Sequence, residues 1–166
     1  MKKAIDYTGE KGSNKDREKK EHDAYATVNK EIDKQKRKVE KLDEVIENTY
    51  GLKKLDLFTE KIKALNEQFD LQGEKVAIAA GIAKSKYDEL AALKLPTKYL
   101  EVEYDDNGIP VALKDPAALD KYIADAYNSG SVDDDTYKKW SDGLKSFTEA
   151  GNEYLENIDE HMTQAL

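Results

Sequence analysis

Three stretches of the chain place their apolar residues at alternating steps of three and four. The first runs Tyr25, Val28, Ile32, Gln35, Val39, Leu42, Ile46, Thr49. The second runs Leu55, Phe58, Ile62, Leu65, Phe69, Gln72, Val76, Ala79, Ala83. The third runs Tyr137, Trp140, Leu144, Phe147, Gly151, Tyr154, Ile158, His161, Ala165. Such steps average about 3.5 residues, the spacing that keeps one seam of a helix turned toward a partner. The residues between are mostly Lys, Glu, Asp, Gln and Asn, which predicts wet outer faces.

The first two stretches flank Gly51, a residue suited to a left-handed stop. Folded antiparallel about it, Ile46 would meet Phe58, Leu42 would meet Ile62, Val39 would meet Leu65, and Val28 would meet Val76. Gln35 would face Phe69, and Gln72 would face Ile32. A polar seam residue can set register at some cost in stability. Residues 76–83 are small and apolar on several sides, which implies more than one neighbour, and the third stretch is the natural one.

Between the second and third stretches the period changes. Leu100, Val102 and Tyr104 alternate with Glu101 and Glu103. Asp105-Asp106-Asn107-Gly108 follows, then Ile109, Val111 and Leu113 alternate again. Asn-Gly between alternating runs predicts a β-hairpin. Asp115-Pro116 opens a short helix to about Asn128, with Gly130 behind it, and Asp133, Asp134 and Asp135 open the third long helix.

The expectation is therefore an elongated all-α protein. An antiparallel coiled-coil helical hairpin is joined by a third long helix, with a small β-hairpin inserted at about 98–113. The segments are an N-terminal arm over 1–14, the helical hairpin over 15–95, the β-hairpin over 96–115, and a short helix plus a long acidic helix over 116–166.

Charge is uneven. The net value of −8 divides into +1 for residues 1–50, +2 for 51–98 and −11 for 99–166. Overall acidity argues against nucleic acid as a partner, since phosphate binding needs clustered cations. Lys2 and Lys3 begin the chain without an apolar run behind them, so no signal peptide is expected. The apolar run at 76–83 is far too short to span a bilayer, so a soluble protein is expected and no compartment is assigned.

Chemistry-bearing patterns are few. The chain has no cysteine, which excludes disulfides and thiolate metal sites. His22 lies one helical turn after Glu18, and His161 lies near Glu156 and Glu160, but the paired Glu-x-x-His pattern of di-metal bundles is missing. Residues 103–114 resemble a calcium loop until the twelfth place, where Lys114 stands instead of a bidentate Glu. Residues 9–15 lack the spacing of a phosphate loop. The basic run at 34–41 reads as a solvated helix face, without interleaved aromatics. With no nucleophile–base arrangement, neither an enzyme nor a cofactor or metal is expected.

What remains is a structural or interaction protein, a coiled-coil subunit of a larger assembly of the virion, secretion or scaffold type. Its partners would be other protein subunits, a homo-oligomer included. The alternative is an acidic inhibitor or adaptor whose C-terminal third occupies a basic site on a partner protein. Aromatic residues are enriched at interfaces, and Tyr7, Tyr50, Tyr122 and Tyr127 are the ones that no seam constrains.

Overall fold

The computed structural model describes residues 14–165, with side-chain surroundings from Lys19 onward. The expected arm over 1–14, Asn14 excepted, lies outside the described residues, as does Tyr7. Four helices and one β-hairpin make up the described chain: α1 (Asn14–Glu47), α2 (Leu52–Ala91), a 3-10 turn (Thr97–Tyr99), β1 (Val102–Tyr104), β2 (Pro110–Leu113), α3 (Pro116–Asn128) and α4 (Asp134–Ala165). The mainly α fold with a small β insertion is as expected. The chain divides into two compact units. One holds α1, α2 as far as Ile78, and α4 from Asn157; the other spans Ala79–Glu156.

In the first unit α1 and α2 are antiparallel about Gly51, which takes a φ of 81°. Near the turn Lys61 Nζ reaches Asp43 Oδ1 at 2.5 Å. Further away Val28, Ile32 and Leu71 share a buried cluster, with Ile78 against it. The α1 seam is as expected, buried or half-buried at every position from Tyr25 to Thr49.

The α2 seam is not. Between Leu52 and Asn66, only Lys54, Leu57, Lys61 and Ala64 are withdrawn from solvent. The row continues through Gln68, Leu71, Lys75 and Ile78, all buried or half-buried. It is the expected seam moved back by one residue, about 100° around the helix. The reason lies higher on α2, where α4 claims the expected seam. His161 stacks on Phe69 with centroids 4.2 Å apart, and Gln72 donates to Asn157 Oδ1 at 3.3 Å. A helix turns as a rigid body, so giving that face to α4 presents the neighbouring row to α1 along the whole length. Gln72 therefore meets Asn157, and Phe69 meets His161.

The second unit has an aliphatic centre with an aromatic shell. Leu90, Leu95, Leu100, Val102, Leu113, Leu119, Ile123 and Phe147 are buried together, with Tyr87, Tyr99, Tyr122 and Trp140 among the residues packed on them. Two polar tips are satisfied by backbone, as buried aromatics require. Tyr87 Oη donates to Leu100 O at 2.9 Å, and Trp140 Nε1 donates to Leu93 O at 3.3 Å.

The β-hairpin pairs Val102 with Leu113, Glu103 with Ala112 and Tyr104 with Pro110, which leaves Val111 as a bulge. Its turn is not the two-residue type. Gly108 N donates to Asp105 O and Asp105 N to Ile109 O, both at 3.0 Å, and Gly108 alone takes a positive φ, 76°. That is a three-residue loop with glycine at the left-handed place. Asp105 Oδ1 holds it from inside, accepting from Asn107 N at 3.0 Å and Ile109 N at 2.9 Å. Asp105 Oδ2 accepts from the Tyr154 hydroxyl on α4.

The helix ends follow their sequence signals. Asp115 Oδ1 caps α3 through Ala118 N at 3.1 Å, with Pro116 in the first turn. At the other end Ser131 N donates to Ala126 O and Gly130 N to Tyr127 O, with Gly130 at a φ of 77°. These bonds form a Schellman motif. Asp133 Oδ1 accepts from Thr136 N at 2.8 Å and caps α4. The α2 terminus instead uses Lys94 at a φ of 61°, a conformation that costs a residue with a Cβ.

A methyl group on Gly151 would stand 2.0 Å from Val111 O, a backbone atom with no freedom to retreat. Gly151→Ala is expected to lower stability by about 3 kcal/mol or more, read from the urea midpoint. Gly143→Ala meets the movable tip of Leu93 at 2.7 Å and should cost distinctly less.

The Thr136 hydrogen bonds hold the Asp133 carboxyl below its ordinary value. With the folded value below the unfolded one, this contribution is present above the unfolded carboxylate range. It disappears as pH falls through the folded value. Asp133→Asn keeps a capping side chain but not the titration. Its melting temperature should therefore drop less on acidification than that of the wild type.

Candidate interaction surface

The first unit is built differently at its two levels. At the upper level three helices meet around polar groups. Gln72 and Asn157 are buried, and Asn157 Nδ2 donates to the Tyr25 hydroxyl of α1 at 2.9 Å. Lys75 Nζ lies 5.3 Å from the centre of the Tyr25 ring. Asn157 thereby touches both other helices. A buried amide that must find partners on two neighbours admits few alternative registers. The His161 ring lies over Gly73, where a Cβ would stand 3.4 Å from it, an ordinary contact distance. The His161 Nε2 is buried without a hydrogen-bond partner.

At the lower level, toward the Gly51 turn, no third helix packs on α2 among the described residues. From His161 beside Phe69, α4 has only Met162–Ala165 left to run among the described residues. The α2 row that α4 covers higher up continues without it. Leu55, Phe58, Ile62 and Leu65 are 63%, 42%, 57% and 43% exposed. Leu52 at 82% and Tyr50 at 86% extend the apolar surface to the turn, and Met162 on α4 is 63% exposed. Single exposed apolar residues are ordinary, whereas these four at seam spacing form a contiguous apolar row.

Of the residues singled out by sequence, Tyr50 lies at the turn next to this row. Tyr122 is half-buried against the second unit's core, between Tyr99 and Trp140 at centroid distances of 5.0 and 5.9 Å. Tyr127 is exposed, stacks on Tyr137 at 4.2 Å and donates its hydroxyl to Asp134 Oδ1 at 2.7 Å. That hydrogen bond raises the hydroxyl above its ordinary value. Tyr50 thus belongs to the first unit, and Tyr122 and Tyr127 to the second. The residues of the exposed row were visible in the sequence, but as core.

His22 and the charged residues of 34–41 are exposed on α1. Among the described residues no group of three His, Asp or Glu side chains is arranged to hold a metal ion. Nor is any helix there long and apolar enough to cross a membrane. Comparison with family models, curated proteins and solved structures returns no match.

The two α2 rows should differ sharply in their weight for stability. Ile32→Ala, in the buried α1–α2 cluster, is expected to cost about 2–5 kcal/mol. Ile62→Ala, on the exposed row, should stay within about 0.5 kcal/mol in dilute protein. Denaturant unfolding at low concentration measures both.

Proposed function

We propose that this chain is a non-enzymatic interaction protein, a helical subunit of a larger assembly, and that the α2 row Leu55–Leu65 with Tyr50 and Leu52 is its contact surface. One observation carries the reading: a seam that is covered by α4 at Phe69 and Gln72 continues apolar and bare through four further seam positions. Water contact with these side chains costs about 25 cal/mol per Å² of apolar area, so the working protein has reason to cover them. Helix-in-groove recognition uses this spacing of anchors.

The acidic C-terminal third supports a binding surface less specifically. Several of its carboxylates have local work: Asp105 in the hairpin turn, Asp115 and Asp133 as caps, Asp125 with Lys121, Asp134 with Tyr127.

Because the chain has no cysteine, single thiols report one position each. Phe58→Cys and Ile62→Cys should react quickly with a thiol reagent in dilute purified protein and slowly in concentrated extract of the native source. Lys19→Cys, on an exposed stretch of α1, should react alike in both. Equal reactivity at all three positions under both conditions would remove the contact-surface reading.

A further inference from the structure

We infer that the bare α2 row is covered by the same row of a second copy of this chain, the two α2 helices lying antiparallel about a two-fold axis between Phe58 and Ile62. The inference rests on the contact-surface reading above and names the occupant.

Three features lead to it. First, the row is the continuation of an interface that already exists within the first unit. There α4 runs antiparallel to α2, with Asn157 beside Gln72 and, one turn on, His161 beside Phe69. A two-fold mate also presents its α2 antiparallel, so it repeats lower on the row the antiparallel packing that α4 makes higher up. Second, the row complements itself. Its steps of three, four and three read the same in both directions, so the axis pairs Leu55 with Leu65 of the other copy and Phe58 with Ile62. Each is the pairing of unlike seam positions that antiparallel helices use, and all eight side chains are apolar. Third, the arrangement brings the Gly51 turn of one copy toward the α4 terminus of the other. Tyr50 and Leu52 then approach Met162, so these three exposed apolar side chains are covered together.

Charge does not oppose the approach. The flanking residues Lys53, Lys54, Asp56, Glu60 and Lys63 carry both signs. Lys61, closest to the axis, is already paired with Asp43 of its own chain.

The purified full chain tests this without any partner. Its mass by sedimentation should rise from one chain toward two with concentration. Ile62→Asp should weaken self-association by roughly a hundredfold, as expected for a charge at the centre of an apolar contact. Leu55→Asp serves as a second variant, and circular dichroism verifies that both remain helical. Mixing Leu55→Cys with Leu65→Cys should give a disulfide-linked pair much faster than either variant alone.

Three results would overturn the inference: a single-chain mass at every concentration, a dimer indifferent to both aspartates, or cross-linking no faster in the mixture. A single-chain mass together with thiol protection at Phe58 and Ile62 in extract would leave the contact surface standing, with a helix of another protein upon it. A single-chain mass without that protection would end both readings.

Discussion

The first unit depends on α2 serving two neighbours from adjacent rows of one helix. Leu57, Lys61, Ala64, Gln68, Leu71, Lys75 and Ile78 turn to α1, while Phe69 and Gln72 turn to α4. The rows are one residue apart, so the rotation of α2 that suits α4 also decides what α1 receives. A helix cannot be re-aimed at one end only. The lower half of α2 therefore faces α1 with Lys54, Leu57, Lys61 and Ala64, a less apolar set than the one left outside.

That arrangement explains where sequence reading succeeded and where it did not. The seams of α1 and α4 were legible because each helix has one dominant apolar row, and those rows are withdrawn from solvent, Ala165 apart. On α2 the more apolar row is the one that its spacing points toward α1. The actual contact row contains three lysines and a glutamine, and lysine stems can cover an apolar surface while the amines reach water. No count of apolar residues would select it. The β-hairpin was legible from Asn107-Gly108, but its loop type was not, since that depends on the Asp105 carboxylate bridging the turn. The caps at Asp115 and Asp133 act through local bonds and could be read directly.

The candidate surface was half legible. Leu55, Phe58, Ile62 and Leu65 stand out at once as seam residues, yet their exposure depends on how α4 lies along α2. That relation is set by Asn157 meeting Gln72 and Tyr25, contacts between residues 85 and 132 positions apart. Polar pairs at such separations leave no periodic trace. The same holds for Tyr122, whose lack of a seam suggested a free ring and whose neighbours Tyr99 and Trp140 enclose it.

The Asp105 side chain has a wider consequence. One of its oxygens closes the hairpin turn through neighbouring backbone, and the other receives the Tyr154 hydroxyl, 49 residues away. Local closure and long-range docking thus share a single carboxylate. The turn can pre-form early from its own sequence, since its bonds span at most four residues. It then offers α4 an acceptor already aimed and already stripped of one conformational choice. Disturbing the loop would therefore be felt on α4 through Tyr154.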